Sequence, residues 1–167
     1  MVSEQTPTTL DRLGRSGFTL IEMLVTLTII AILTSISLPI YLAHQARSQL
    51  TQAMTLGNTH RVNIESYILD SGQFPPNSEQ PTLLPLLEEV NGQQRSRYPV
   101  VAQVQLIPEN QTGAGRIQIV LETDGVAAPI QGREINFTRT ENGSWFCFTN
   151  VAADLIPRGC YSQDDGR

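Results

Sequence analysis

The sequence predicts an α+β protein: one long N-terminal helix, membrane-spanning in its first half, packed on a four-stranded antiparallel sheet. Three observations predict it. An apolar run from Phe18 to Ala43 passes without a break into an amphipathic pattern. Four later segments alternate apolar and polar residues with the two-residue period of a half-buried strand. Between these halves, Ser71-Gly72 and Pro75-Pro76 stop the helical rhythm and forbid its resumption.

The run from Phe18 to Ala43 would extend roughly 39 Å as a helix, enough to cross a hydrocarbon core about 30 Å thick. Its apolar core is too long for a plain secretory signal, and no small-x-small cleavage pattern follows. Residues Met1 to Gly17 are polar, carry Arg12 and Arg15, and read as a short cytoplasmic leader. Arg47 lies beyond the run, so loop charge separates its two ends only weakly. Glu22 is the single charge within the run. An ionisable side chain in a membrane-length helix is costly and marks function by default.

Past Ala43 the composition turns polar but the helical period persists. Ala43, Ala46, Leu50, Ala53, Gly57, Ile64 and Ile68 recur at three- and four-residue spacings, widened by Met54 and Tyr67. Gln45, Arg47, Gln49, Gln52, Asn58 and Asn63 fill the gaps. One helix over 18–70 is predicted, with a narrow small-residue face that must be buried by the rest of the chain. A head over 71–167 supplies the cover. Residues 73–98 read as an extended connection, with a short helical turn over 83–90.

Strand signals follow. Ala102, Val104 and Leu106 alternate with glutamines, as do Ile117, Ile119 and Leu121 with Gln118, Val120 and Glu122. Ile135 and Phe137 repeat the pattern, and Trp145 to Phe148 form a last apolar strand. Asn142-Gly143 between the last two runs is a two-residue hairpin signal.

Sixteen acidic against eleven basic residues give a net charge of −5, and every basic residue is arginine. That balance disfavours a broad phosphate-binding surface, although Arg95, Arg97, Arg116, Arg133 and Arg139 would favour one if they met on a single face. The two cysteines, Cys147 and Cys160, read as one disulfide made in an oxidising compartment. Pro157 and Gly159 shape the loop between them. Catalytic sets are missing. His44 and His60 lie far apart on the helix, are assigned to its polar face, and have no further ligand to complete a metal site. Gly113-Ala114-Gly115 lacks the third glycine and the helix of a dinucleotide loop. Asp164 and Asp165 read as a solvated tail. No enzyme activity, metal or cofactor is expected.

Gly17 followed by Phe18-Thr19-Leu20-Ile21-Glu22 resembles the N-terminal signature of the type IV pilin superfamily, and the whole plan of leader, long helix, sheet and late cysteine loop is similar to that family. The resemblance implies that a prepilin peptidase cuts between Gly17 and Phe18 and methylates the new Phe18 amine. It implies a partner for Glu22 as well: the Phe18 amine of a neighbouring subunit, with the charge pair setting the stagger of assembly in low dielectric. Pro39, at a depth where pilins commonly carry a proline, is expected to kink or locally melt the helix, with Thr34, Ser35 and Ser37 satisfying the loosened backbone. A disulfide between Cys147 and Cys160 would pin a C-terminal loop to the last strand.

The implied function is a structural subunit of a type IV pilus, serving motility, adhesion or DNA uptake. Its partners would be prepilin peptidase, other pilin subunits and the inner-membrane assembly machinery. The implied location is the inner membrane, as a single-pass precursor with a periplasmic head, and then the extracellular pilus. Two alternatives remain: a pseudopilin of type II secretion, which usually lacks the late cysteine pair, and a minor pilin that binds DNA or a surface.

Overall fold

The computed structural model describes residues 17–84, 87–90, 93–110 and 112–163, with 81, 87–90 and 93–96 as backbone only. Helix α1 spans Leu20–Ser71. The chain divides into two compact units, Met1–Leu38 and Pro39–Arg167. In the first, every described residue is exposed. The second holds the rest of α1 and the head.

Physical chemistry sets both ends of α1. Thr19 precedes the first helical residue and caps it, as described below. At the other end Gly72 adopts φ 73°, the left-handed conformation that glycine takes without a Cβ penalty, and its N–H returns to the Ile68 carbonyl at 2.8 Å. Helix α2, Gln80–Leu83, follows a single 3₁₀ turn. A separate hairpin pairs β1 (Leu87–Val90) with β2 (Gln93–Ser96).

The main sheet has the order β3-β4-β5-β6-β7. Its strands are β3 (Val101–Pro108), β4 (Gly115–Leu121), β5 (Glu134–Arg139), β6 (Trp145–Thr149) and β7 (Cys160–Ser162). The first four pair antiparallel, and β7 joins β6 in parallel. Alternation sends Ile117, Ile119, Leu121, Ile135, Phe137, Cys147 and Thr149 inward. There they share one core with Ala46, Leu50, Ala53, Leu56 and Ile64 of α1. Gly57 sets the closest approach: a Cβ built there would stand 2.1 Å from the Phe137 ring.

The structure corrects the expected fold at five points. The sheet has five strands rather than four, because the cysteine loop returns as β7. Leu87–Val90 is a strand, and the helical turn before it ends at Leu83. Ala102 is exposed rather than inward: the register slips between Val101 and Gln103, so Val101 takes the buried slot. The β5–β6 hairpin closes through a Thr140–Ser144 pair and a turn over Thr140–Gly143, with Gly143 alone at positive φ. That is a three-residue loop, since a two-residue type I′ turn needs positive φ at Asn142 too.

His60 is the fifth. It lies among the buried residues of α1, 4 % exposed, not on a polar face. Among the described residues neither ring nitrogen has a hydrogen-bond partner, and the Asn136 Oδ1 is equally orphaned. An unsatisfied buried polar group costs about 1–3 kcal/mol. Burial pushes the His60 pKa down to about 4, which keeps the imidazole neutral in the core.

Candidate functional site

The segment around Glu22 is built by a reciprocal cap. The Thr19 backbone N–H and hydroxyl both donate to Glu22 Oε2, at 2.9 and 2.8 Å, and the Glu22 N–H donates back to Thr19 Oγ1 at 3.3 Å. Threonine at the cap and glutamate three residues later form a capping box. Together they satisfy amides that a helix start leaves open, and place a negative charge at the positive end of the helix dipole. Oε1 of the same carboxylate accepts no hydrogen bond from a described residue. Glu22 is therefore held in place with one oxygen still open. Thr19 is the residue that motif reading overlooked, although Thr-x-x-Glu before an apolar run is its signature.

Apart from Thr19 and Thr26, the surface around this carboxylate is apolar. Phe18 is 81 % exposed, Leu20 83 %, and exposed leucines, isoleucines and valines continue to Leu42. The stretch has a mean hydropathy of 2.2 over its best window, long and apolar enough to cross a membrane. Its hydroxyls are folded back on the helix: Thr28 donates to the Leu24 carbonyl, Thr34 to Ile30 and Ser35 to Ile32. Ser37 donates to the Thr34 carbonyl, so among the described residues no hydroxyl donates to the Ser35 carbonyl, which Pro39 leaves without its usual donor. The helix continues through Pro39 in this state.

Farther along α1, polar residues bind the head. Gln49 clamps a loop by accepting from the Ala127 N–H at 2.8 Å and donating to the Gly125 carbonyl at 3.4 Å. Asn63 donates to the Leu83 carbonyl at 2.9 Å, and Arg47 to the Asp154 carbonyl at 3.3 Å. Glu65 takes a two-pronged pair from Arg139, at 2.8 and 3.1 Å, and a 2.6 Å bond from the Trp145 indole N–H. The Arg139 guanidinium is the main reason that the Glu65 carboxyl lies below its ordinary pKa. Arg61 stacks over the Trp145 ring at 5.0 Å.

Cys147 and Cys160 are bonded, with Cα atoms 4.4 Å apart, and link β6 to β7. Their sulfurs lie 3.8 and 3.4 Å from the Met54 sulfur of α1, so the staple also rests on the helix. Arg116 and Arg139 do not converge. Arg139 faces the helix and Arg116 the other face of the sheet, while Arg133 donates to the Asn150 carbonyl. The Arg95 side chain, the leader residues 1–16 and the pair Asp164 and Asp165 lie outside the described residues.

The comparisons agree with this anatomy. The model of the family Pilin (bacterial filament) matches residues 46–161, and that of the prokaryotic N-terminal methylation motif matches residues 12–38. The chain is 31 % identical to the fimbrial protein EcpC of Eikenella corrodens, covering 87 % of this chain and 90 % of that one. It is 30 % identical to a type IV major fimbrial protein, FimA, of Dichelobacter nodosus, over 87 % of this chain and 96 % of that one. With a type IV major pilin protein, PilE1, of Neisseria gonorrhoeae it shares 29 % identity, over 80 % and 69 %. Among solved structures a Cs1 pilin chimera superposes with a TM-score of 0.50 at 22 % identity, covering 71 % of this chain and 98 % of that one, a likeness of fold. An apolar helix with one capped acid, a sheet on its polar half and a cysteine staple therefore meet in one chain, which belongs to the pilin family.

Proposed function

We infer that this chain is a structural subunit of a type IV pilus, made as an inner-membrane precursor and polymerised through its N-terminal helices. Cleavage falls after Gly17 and frees the Phe18 amine, which is then methylated. The observation that carries this reading is Glu22: the only charge in the exposed apolar stretch 18–42, with one oxygen occupied by Thr19 and the other open. The open oxygen suits the cationic amine of a neighbouring Phe18. Exposed apolar surface of this extent needs lipid before assembly and other helices after it.

In this account the precursor crosses the inner membrane once with its head in the periplasm, and the assembly machinery moves it into an extracellular filament. Prepilin peptidase and further pilin subunits are its partners. Pro39 is the point where the helix opens on packing, because the Ser35 carbonyl there lacks a donor already. The relatives are named as fimbrial proteins and major pilins, which supports a filament subunit over a secretion pseudopilin. The divergence of Arg116 from Arg139 weighs against a nucleic-acid module.

Mass spectrometry of sheared surface filaments tests the reading. The expected chain begins at N-methylated Phe18 and has Cys147 and Cys160 oxidised. A filament-free cell whose chain keeps its first residues would overturn it.

A further inference from the structure

The sheet face turned away from α1 carries an uncommon set of side chains. Cross-strand pairing puts Arg116, Thr138 and Phe146 in one row, and Gln105, Gln118, Asn136, Phe148 and Tyr161 in the next. Phe146 is 44 % exposed and Tyr161 58 %, and the Phe148 and Tyr161 rings lie 6.1 Å apart, tilted by 42°. Beside them Arg116, Asn136, Phe148 and Gln163 line a shallow hollow of about 160 Å³. Ile107, Pro108, Glu109, Gly115 and Thr138 line a second hollow of about 240 Å³, and Arg116 belongs to both.

We propose that this face binds a saccharide, with one sugar ring in the hollow beside Asn136 and Phe148 and the next ring against the exposed Tyr161. Asn136 is 5 % exposed and its Oδ1 has no hydrogen-bond partner among the described residues. The exposed side chains of Arg116 and Gln163 line the hollow with it and with Phe148, and neither makes a side-chain hydrogen bond to a described residue. A small shift of Gln163 opens the carboxamide to a ligand.

The missing partner must be a donor, which a carboxylate or phosphodiester oxygen is not. A primary amide offers one acceptor and two donors side by side, and neighbouring sugar hydroxyls match both. Exposed aromatic faces suit the apolar side of a pyranose ring. The net charge of −5 and the single arginine at the hollows disfavour a polyanion. This inference goes beyond filament building and does not depend on it.

Saturation-transfer NMR on the detergent-solubilised full chain tests it, with galactose, N-acetylglucosamine and glucuronic acid as probes and a thymidine oligonucleotide as competitor. Transfer to at least one sugar is expected, unaffected by the oligonucleotide. Asn136→Leu should weaken that binding about tenfold or more without lowering the unfolding temperature, because it removes an orphaned polar group. Tyr161→Ala should weaken it by a similar factor at an exposed position that folding tolerates. The proposal falls if none of the three sugars receives transfer, if both variants bind as the parent does, or if the oligonucleotide displaces the sugar.

Discussion

Helix α1 presents two regions built for different surroundings. Residues 18–42 are exposed and, apart from Glu22 and the hydroxyl residues, apolar, and Thr28, Thr34 and Ser35 spend their hydroxyls on their own backbone. From Ala46 onward the same helix alternates a buried stripe with polar residues, three of which find a defined partner in the head: Gln49 a loop, Asn63 a carbonyl, Glu65 an arginine and an indole. The contrast teaches that helix formation is common to both while the solvent differs. The first region leaves its side chains for lipid or for other subunits. In the second they are already used within the chain.

Substitutions in the second region should therefore alter head stability and leave membrane insertion intact. The largest effect is expected from the staple. Cys147→Ser opens a loop with a sequence separation of 13 residues and should cost about 3 kcal/mol, measured by chemical unfolding of the solubilised chain. Next is Gly57→Ala. Its Cβ meets the Phe137 ring, and overpacking of about 3 kcal/mol less a helix-propensity gain of about 1 leaves a net loss near 2. A neutral result there would mean that α1 can move off the sheet at little cost, which would blur the contrast.

His60 gives a pH-dependent test. Unfolded, it takes a proton near pH 6.5; folded, it resists until about pH 4. The unfolded state binds more protons between those values, so stability is full above pH 6.5 and falls as the pH drops toward 4. Between pH 8 and pH 5 the parent should lose roughly 1–2 kcal/mol that His60→Leu does not lose. Equal losses in both proteins would refute the buried neutral imidazole. The smallest effect belongs to Glu65→Gln. Its side chain is 37 % exposed, so the change should cost no more than about 1 kcal/mol and shrink further in high salt.

Much of the first region was legible because its signals are local. Gly17, Phe18 and Glu22 are adjacent in sequence, and apolar length is counted along the chain. Thr19 was equally readable through its spacing to Glu22. In the head, the inward residues of β4 and β5 followed from alternation alone. What stayed hidden was non-local. The slip at Ala102 depends on how β3 meets β4, and the parallel seat of β7 on where the staple lands. His60 looked polar because its type is usually solvated; its place on the stripe, one turn from both Leu56 and Ile64, was the better guide. The run Trp145 to Phe148 reads as one apolar strand with no alternation to say which side faces in, and the register that buries Cys147 turns Phe146 and Phe148 outward.

The central claim is that the first region exists for contact between chains, and Glu22→Ala tests it most directly. Filaments are counted by electron microscopy while cleaved subunit in the membrane is quantified by immunoblot. The account predicts a chain that inserts, is cut after Gly17, and folds with its disulfide intact, on cells nearly bare of filaments. Filaments of ordinary number and length from that variant would contradict it.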